Sequence, residues 1–252
     1  MIRIGKGIAV ATLALALAGC GKKDEAAKTD APTGTASAST AAPVAAPAGQ
    51  DWTTTIVATP EGGFRMGNPN APVKLVEYAS LTCPHCAAFA NESADKVENY
   101  VRKGTVSWEF RTFVLNAIDI SASLLARCQG PEPFFKLVEQ TYAEQHNWAL
   151  KYQNLTEADT KRIGALPEDQ QFAEIAKLGG LDQFYGARGL PAAKAQACLT
   201  DKASRDTLIA LRDRGTNQDG VTGTPTFIVN GKIAEDTYDW TALEPKLKAA
   251  GG

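Results

Sequence analysis

The 252-residue sequence contains few of the residues that mark metal-binding and nucleic-acid-binding proteins. It has two histidines and two methionines, one of them Met1, so soft ligands for zinc or copper are scarce. Lysine and arginine number 26 against 28 aspartates and glutamates, which gives a formal net charge of −2. A chain with this balance has no basic footprint for nucleic acid. We therefore expect no nucleic-acid partner, no metal and no other cofactor.

The amino-terminal apolar stretch is too short to cross a bilayer comfortably. Arg3 and Lys6 precede an apolar segment over residues 8–18, which is the pattern of a secretory signal peptide. The segment ends in Leu17-Ala18-Gly19-Cys20, which resembles the bacterial lipoprotein signal, where the chain is cut before a cysteine that then carries lipid. We predict a signal peptide over residues 1–19 and lipidation of Cys20. An ordinary secretory signal with an incidental cysteine is the alternative.

Both interpretations place the mature protein in an oxidising compartment, where disulfides persist. We predict that it lies on the periplasmic side of the cell envelope, anchored to a membrane by lipid, or secreted into the periplasm if Cys20 is not lipidated. Residues 20–50 are rich in alanine, proline and threonine and have almost nothing to bury, so we predict a disordered tether. From residue 51 to residue 252 the composition is that of one globular domain.

The central feature of this domain is the sequence Cys83-Pro84-His85-Cys86. It follows an apolar run over residues 73–78, which predicts a buried strand. After it, Cys86, Phe89, Val97 and Tyr100 recur at helical spacing, and Pro84 suits the first turn of a helix. The two cysteines therefore lie where a strand passes into a helix, with Cys83 at the helix amino terminus.

This position favours a reactive Cys83. The free N–H groups and partial positive charge of a helix amino terminus stabilise a thiolate, and His85 could add a donor or a second positive charge. Stabilising the thiolate makes a Cys83–Cys86 disulfide easy to reduce, and therefore oxidising towards substrates. We predict that Cys83 attacks and that Cys86 resolves the mixed disulfide.

Two other interpretations of the cysteine pair stay open. The pair could form half of a zinc site, although structural zinc sites need four ligands and only His146, Cys128 and Cys198 remain as soft candidates. A purely structural disulfide at a helix start is the second alternative.

Glu77 lies on the predicted strand, six residues before Cys83. If it points inward, it is a buried acid that can take a proton from Cys86 as Cys86 attacks. The alternation along the strand does not say which face is covered, so an exposed glutamate is equally compatible with the sequence.

A long helical insertion follows the next predicted strand, which covers residues 105–113. Strand character then stops for about 110 residues, too long for a loop, and we place the insertion at about 115–219. Helical spacing or caps occur at 118–127, 131–144, 168–178, 190–199 and 204–219. Cys128 and Cys198 lie in this region. If Cys20 is lipidated and Cys83 pairs with Cys86, they are the pair that remains, so we predict a structural disulfide, with two buried free thiols as the alternative.

Strands return at the carboxy-terminal end. Residues 223–234 contain Gly223-Thr224-Pro225-Thr226-Phe227, and Asn230-Gly231 then predicts a hairpin. Pro225 directly before a strand marks an edge or a special turn. A last amphipathic helix carries Trp240, Leu243 and Leu247. Two further short strands are predicted before the central strand, at 53–58 and 64–66.

Together these segments resemble the DsbA-like thiol:disulfide oxidoreductases. The resemblance covers the chain from about residue 51 onward and implies a thioredoxin fold, which is an α/β fold with a central mixed β-sheet flanked by helices, here with an inserted all-helical subdomain. The Pro84-His85 dipeptide matches the typical DsbA active site. Glu77 matches the buried acidic position of the family.

The resemblance also implies roles for Thr224 and Pro225. Pro225 matches the family's cis-proline, which orients the substrate backbone beside the active-site disulfide. Thr224 matches the preceding position, which tunes redox behaviour and partner choice. The implied activity is the introduction of disulfides into reduced exported proteins, with a DsbB-like membrane protein as the redox partner. No oligomeric interface is visible in the sequence, and we expect a monomer. A membrane-tethered reductase or isomerase is the main alternative, and a metal-binding or chaperone protein of the same fold is a further one.

Overall fold

The computed structural model describes residues 45–47 and 51–252. The predicted signal peptide, Cys20 and all but three residues of the predicted tether lie outside this part of the chain, so the proposals for them stay predictions. No helix in the described ranges is both long and apolar enough to cross a membrane.

Within the described residues the strands form one mixed sheet. They are β1 (Ile56–Ala58), β2 (Phe64–Met66), β3 (Val73–Ala79), β4 (Val106–Thr112), β5 (Thr226–Val229) and β6 (Lys232–Ile233). Their order across the sheet is β1-β2-β4-β3-β5-β6. The β3–β4 pair is parallel and every other neighbouring pair is antiparallel. The predicted α/β thioredoxin fold with a central mixed sheet is confirmed.

The α-helices of the described residues lie between the strands and after the last of them. They are α1 (Pro84–Arg102), α2 (Ala117–Arg127), α3 (Phe134–Ala143), α4 (Gln145–Gln153), α5 (Glu157–Gly164), α6 (Glu168–Gly179), α7 (Leu181–Gly186), α8 (Ala192–Thr200), α9 (Lys202–Asn217) and α10 (Trp240–Ala249). Helices α2 to α9 form the inserted segment between β4 and β5. Helix α2, whose Leu124, Leu125 and Ala126 are buried, packs against α6, α7, α8 and α9.

One predicted strand begins later than expected. The sequence predicts a strand over 53–58, but Trp52–Thr54 form a 3-10 helix and β1 begins at Ile56. The Asp51 carboxylate accepts a hydrogen bond from the Thr53 amide at 2.9 Å, which satisfies a free N–H of this short helix. This local cap outweighs the strand preference of the threonines.

The two faces of β3 are buried against different groups of side chains. Leu75 lies in the main hydrophobic core, together with buried residues of α1, α3 and α10. Tyr78, on the opposite face, packs with Phe113, Val221 and Ile228 in a smaller cluster. Because side chains alternate along a strand, Glu77 lies on the same face as Leu75, towards α1. The inward position of Glu77 that the sequence left open is the one the structure has.

Candidate active site

The loop after β3 places Cys83 at the amino terminus of α1. Cys83 is the N-cap residue, with extended backbone, and Pro84 is the first helical residue. The Cys83 amide donates to the Ser80 carbonyl at 3.1 Å, and the Ala87 amide donates to the Cys83 carbonyl at 3.1 Å. Cys83 is 6% exposed and Cys86 is fully buried, whereas Pro84 and His85 are exposed. A partner that approaches from solvent therefore meets Cys83 before Cys86.

The surroundings of Cys83 favour its thiolate. The pKa of Cys83 falls to about 5 because Cys86 hydrogen-bonds to the anion; burial opposes this, and Thr224 and the backbone N–H groups of Cys86 and His85 contribute further. In the reduced thiol form, the Cys83 Sγ donates to the Thr224 carbonyl at 3.3 Å. The backbone N–H of His85 at the helix terminus is thus one of the groups that stabilise the thiolate.

Cys86 has the opposite tendency. Burial, the hydrogen bond with Cys83 and the negative charges of Cys83 and Glu77 all raise the pKa of its thiol. The two cysteines of one motif therefore differ, since the first is a thiolate near neutral pH and the second stays protonated. An attacking cysteine has to be a thiolate, as Cys83 is. A buried partner such as Cys86 needs a group that can give it a proton and take one from it.

Glu77 is a buried acid whose charge acts on Cys86 and raises the pKa of that thiol. Its side chain is 1% exposed, and the Trp108 indole N–H donates to its Oε2 at 3.0 Å. Burial raises the pKa of Glu77 to about 8, while the Trp108 hydrogen bond opposes the shift. At pH 7 the carboxyl is therefore mostly protonated and can give a proton to a departing Cys86 thiolate, or take one from an attacking Cys86 thiol.

Thr224 and Pro225 lie beside Cys83, and the peptide bond that joins them is cis. Strand β5 starts at Thr226, which is paired with Tyr78 of β3, so the preceding residues reach the end of β3 near the cysteines. An open cavity of about 390 Å³ borders this turn, lined by Thr222, Thr224, Pro225, Ile233, Glu235 and Tyr238 among others. The turn thus offers polypeptide backbone next to the reactive sulfur, and the cavity lies beside the turn.

The loop before Cys83 is held by side chains from the insertion that sequence reasoning missed. The Gln145 amide donates to the carbonyls of Leu81 at 2.8 Å and Cys83 at 2.9 Å. The Asp119 carboxylate accepts from the Ser80 hydroxyl at 2.5 Å and from the Leu81 amide at 3.0 Å. Burial raises the pKa of Asp119 to about 6, although these hydrogen bonds oppose the shift. No sequence signal identifies either residue, because each meets the motif only through tertiary packing.

Cys128 and Cys198 lie away from the motif, inside the insertion. Cys128 follows the last residue of α2 and Cys198 belongs to α8. A disulfide joins them across a sequence separation of 70 residues. With these two sulfurs bonded to each other, they are not free to complete a zinc site with Cys83 and Cys86. Within the described residues, no group of three His, Cys, Asp or Glu side chains is arranged to hold a metal ion.

Comparisons with known proteins agree with this geometry. A family model described as "Thioredoxin" matches residues 59–249. The crystal structure of a protein-disulfide isomerase from Novosphingobium aromaticivorans matches this chain at 34% sequence identity, with a TM-score of 0.70. The match covers 73% of this chain and 95% of the isomerase chain. The alpha-DsbA1 structure of Wolbachia pipientis has a TM-score of 0.60 at 23% identity, over 77% of this chain and 94% of that one, and shows the shared fold.

Curated sequence relatives are more distant. A Rickettsia bellii protein, whose name assigns it provisionally to the protein-disulfide oxidoreductases, is 27% identical over 75% of this chain. This chain spans 65% of the length of that relative and 52% of the length of a similarly named protein from Rickettsia felis. Disulfide bond formation protein D of Bacillus subtilis is 22% identical, over 73% of this chain and 74% of its own length.

Proposed function

The chain belongs to the thioredoxin family as a DsbA-like member, and from that premise we propose that it is a thiol:disulfide oxidoreductase that introduces disulfides into exported proteins. The observation that carries the proposal is the opposite tuning of the two motif cysteines. The pKa of Cys83 is lowered to about 5 while that of the buried Cys86 is raised. Stabilising the Cys83 thiolate stabilises the reduced pair, so the disulfide is a strong electron acceptor.

The reaction starts from the oxidised Cys83–Cys86 pair. A substrate thiolate attacks the Cys83 sulfur, the Cys83–Cys86 bond breaks, and Cys86 leaves with the electron pair and takes a proton from Glu77. The second substrate thiolate then attacks the substrate sulfur of the mixed disulfide, and Cys83 leaves as a stabilised thiolate. Two substrate thiols have become one disulfide, and the enzyme holds the two electrons as a Cys83 thiolate and a Cys86 thiol.

Thr224 and Pro225 are the proposed substrate-binding residues. The Thr224 carbonyl already accepts a hydrogen bond from Cys83 at 3.3 Å, so a peptide lying along this turn has its own cysteine beside the reactive sulfur. The substrates we propose are reduced exported proteins, and the proposed partner that reoxidises the pair is a DsbB-like membrane protein. Lipidation of Cys20 would hold the domain at the membrane on the periplasmic side.

Measuring the direction of electron flow is the decisive test of this proposal. The test is needed because the structural neighbour from Novosphingobium is named a protein-disulfide isomerase. The equilibrium of the full chain against glutathione should give a potential well above that of glutathione, and Cys83→Ser should abolish oxidation of a reduced test protein. In the same glutathione buffer, Cys86→Ser should instead accumulate a mixed disulfide between Cys83 and glutathione, formed when the Cys83 thiolate attacks oxidised glutathione and releases one reduced glutathione. A potential well below that of glutathione would make the protein a reductase and overturn the proposed direction.

A further inference from the structure

A small, partly open cavity lies against Glu77, lined by residues of α1, β4 and α3. Its volume is about 20 Å³, which is enough for one water molecule. Three glutamates, Glu77, Glu98 and Glu139, are among the residues that line it, and the other lining residues are mostly apolar. A water there would have polar partners on several sides, and one of them would be the buried acid beside Cys86.

Glu98 connects this cavity with the surface. Its side chain, on α1, is 28% exposed, and it also lines an open surface cleft of about 250 Å³ bordered by Thr53, Glu132 and Lys136. Glu77 lies on the inner side of the cavity and is 1% exposed. Glu98 therefore lines both the cavity that borders the buried acid and the cleft that contains solvent.

Glu139 is less suited to the same task. Its carboxylate pairs with Lys136 at 2.7 Å, and it is not among the residues that line the open cleft. The Glu98 carboxylate lies farther from its nearest cation, at 4.0 Å from the Arg102 guanidinium. Of the two outer glutamates, Glu139 is the more exposed, at 39% against 28%, but Glu98 has the weaker ion pair and lines both the cavity and the open cleft.

From this geometry we infer that Glu98 passes protons between solvent and Glu77 through the cavity, and so resets Glu77 after each redox step. The inference rests on the proposed function, because it concerns the proton that Cys86 takes when the Cys83–Cys86 bond breaks. Glu77 gives that proton to Cys86 and is left as a buried carboxylate. Solvent protonates Glu98, Glu98 protonates the cavity water as that water protonates Glu77, and the proton count of the water is unchanged. In the reverse reaction the proton moves outward by the same route.

The charges around Glu98 favour this exchange. Burial, Asp95 and Glu139 raise the pKa of Glu98, while Arg102 and Lys136 oppose the shift. Glu77 is faced by Trp108 from β4 and by Cys86 from α1, and Tyr142 of α3 lines the same cavity. A carboxyl group with a raised pKa transfers protons near neutral pH more readily than a fully solvated glutamate.

The test separates proton delivery from equilibrium. The rate at which dithiothreitol at saturating concentration reduces the Cys83–Cys86 disulfide of the full chain is followed from pH 5 to 9, in weakly buffered H₂O and D₂O. Glu98→Gln should keep the rate at pH 6, where Glu77 already holds the proton that Cys86 takes. At pH 9, where Glu77 has lost that proton, the same variant should slow the reaction about fivefold, a small part of the 10²–10⁴-fold that positioned proton transfer contributes. The solvent isotope effect should rise, the potential against glutathione should stay unchanged, and Glu98→Asp should restore most of the rate.

Two further variants keep the result decisive. Ala94→Val fills the cavity without altering a carboxyl group and should slow the reaction similarly, so it serves if Glu98→Gln folds poorly. Glu92→Gln, on the exposed part of the same helix and paired with Lys96, should have the rate of the unmodified protein. The inference is overturned if Glu98→Gln and Ala94→Val both keep the full rate at pH 9. It is also overturned if the potential of the cysteine pair changes enough to account for the slower rate. Failure of the proposed function would appear separately, as an unmodified protein whose cysteine pair does not exchange with thiols.

Discussion

The two cysteine pairs of this domain lie at opposite ends of their helices. Cys83 is the N-cap of α1, where free N–H groups and the helix dipole stabilise a thiolate. Cys128 is the C-cap of α2, where the dipole has the opposite sign and disfavours a thiolate. The first pair is present as free thiols and the second as a disulfide. The helix end at which a cysteine lies thus separates a pair suited to electron exchange from one suited to holding two helices together.

The largest effect on stability should come from breaking the second pair. Replacing both Cys128 and Cys198 with alanine removes a link across 70 residues, which the loop-entropy relation values at about 4 kcal/mol of the free energy of unfolding. Urea denaturation of the full chain measures this loss. The potential of the Cys83–Cys86 pair should not change. If the double variant lost its redox activity while still folded, the two pairs would not be independent.

Glu77 is a further difference between the two cysteine pairs, because no corresponding acid is described beside Cys128 and Cys198. In the oxidised protein the folded state binds more protons than the unfolded state at pH values between the ordinary pKa of Glu77, 4.5, and its folded value of about 8. Stability must therefore fall as the pH rises through this window. Asp119 contributes only up to about pH 6, so the loss between pH 6 and 8 belongs to Glu77, at up to about 1.4 kcal/mol per pH unit.

Glu77→Gln should remove that pH dependence and raise stability at pH 8. Urea denaturation of the oxidised protein at pH 6, 7 and 8 measures the slope, and Glu92→Gln is the control that should keep it. A slope that survives in Glu77→Gln would assign the titration to another group.

A smaller effect is expected from Gln145, which fixes the loop of the first pair. Gln145→Leu removes a donor shared by the carbonyls of Leu81 and Cys83 and should cost about 1–3 kcal/mol. Gln171→Leu is a matched control, since its amide donates to the Leu166 carbonyl at 2.9 Å, outside the site. Both variants should lose stability, but only Gln145→Leu should alter the pH profile of Cys83 alkylation. Equal alkylation profiles would mean that Gln145 has no influence on the reactive sulfur.

The elements around the motif could be predicted because their apolar spacing reports real burial. Cys86, Phe89, Val97 and Tyr100 are all buried on one face of α1. The apolar spacing of the sequence does not predict helices α4, α5 and α7, because a helix that buries few apolar side chains shows little apolar spacing. Helix α5 has no buried residue, and α4 buries only Gln145 and Trp148, so neither carries an apolar period. The capping box of Thr156 and Asp159 was the available signal for α5.

The site itself could be predicted only where its residues are close in sequence. Cys83, Cys86 and their helix end follow from one short segment, and the resemblance added Thr224 and Pro225. The face on which Glu77 lies could not be decided, because β3 is covered on both faces and alternation then loses its meaning. Asp119 and Gln145 reach the motif from the insertion, more than 30 residues away in sequence, and only packing brings them there.

The chain leaves and re-enters the sheet on the two sides of one strand. At Tyr78 of β3, Arg111 of β4 is the neighbour on one side and Thr226 of β5 the neighbour on the other. The Tyr78 hydroxyl donates to Asp219 at 2.5 Å, and Arg111 donates to the same carboxylate at 3.0 Å, which fastens the returning chain. The end of β4, where the insertion begins, and the start of β5, where it ends, are therefore only two strand spacings apart, about 10 Å. For protein engineering, a segment that replaces the eight helices between them has to bridge this short gap, hold the Cys83 loop and cover the core face that α3 now covers.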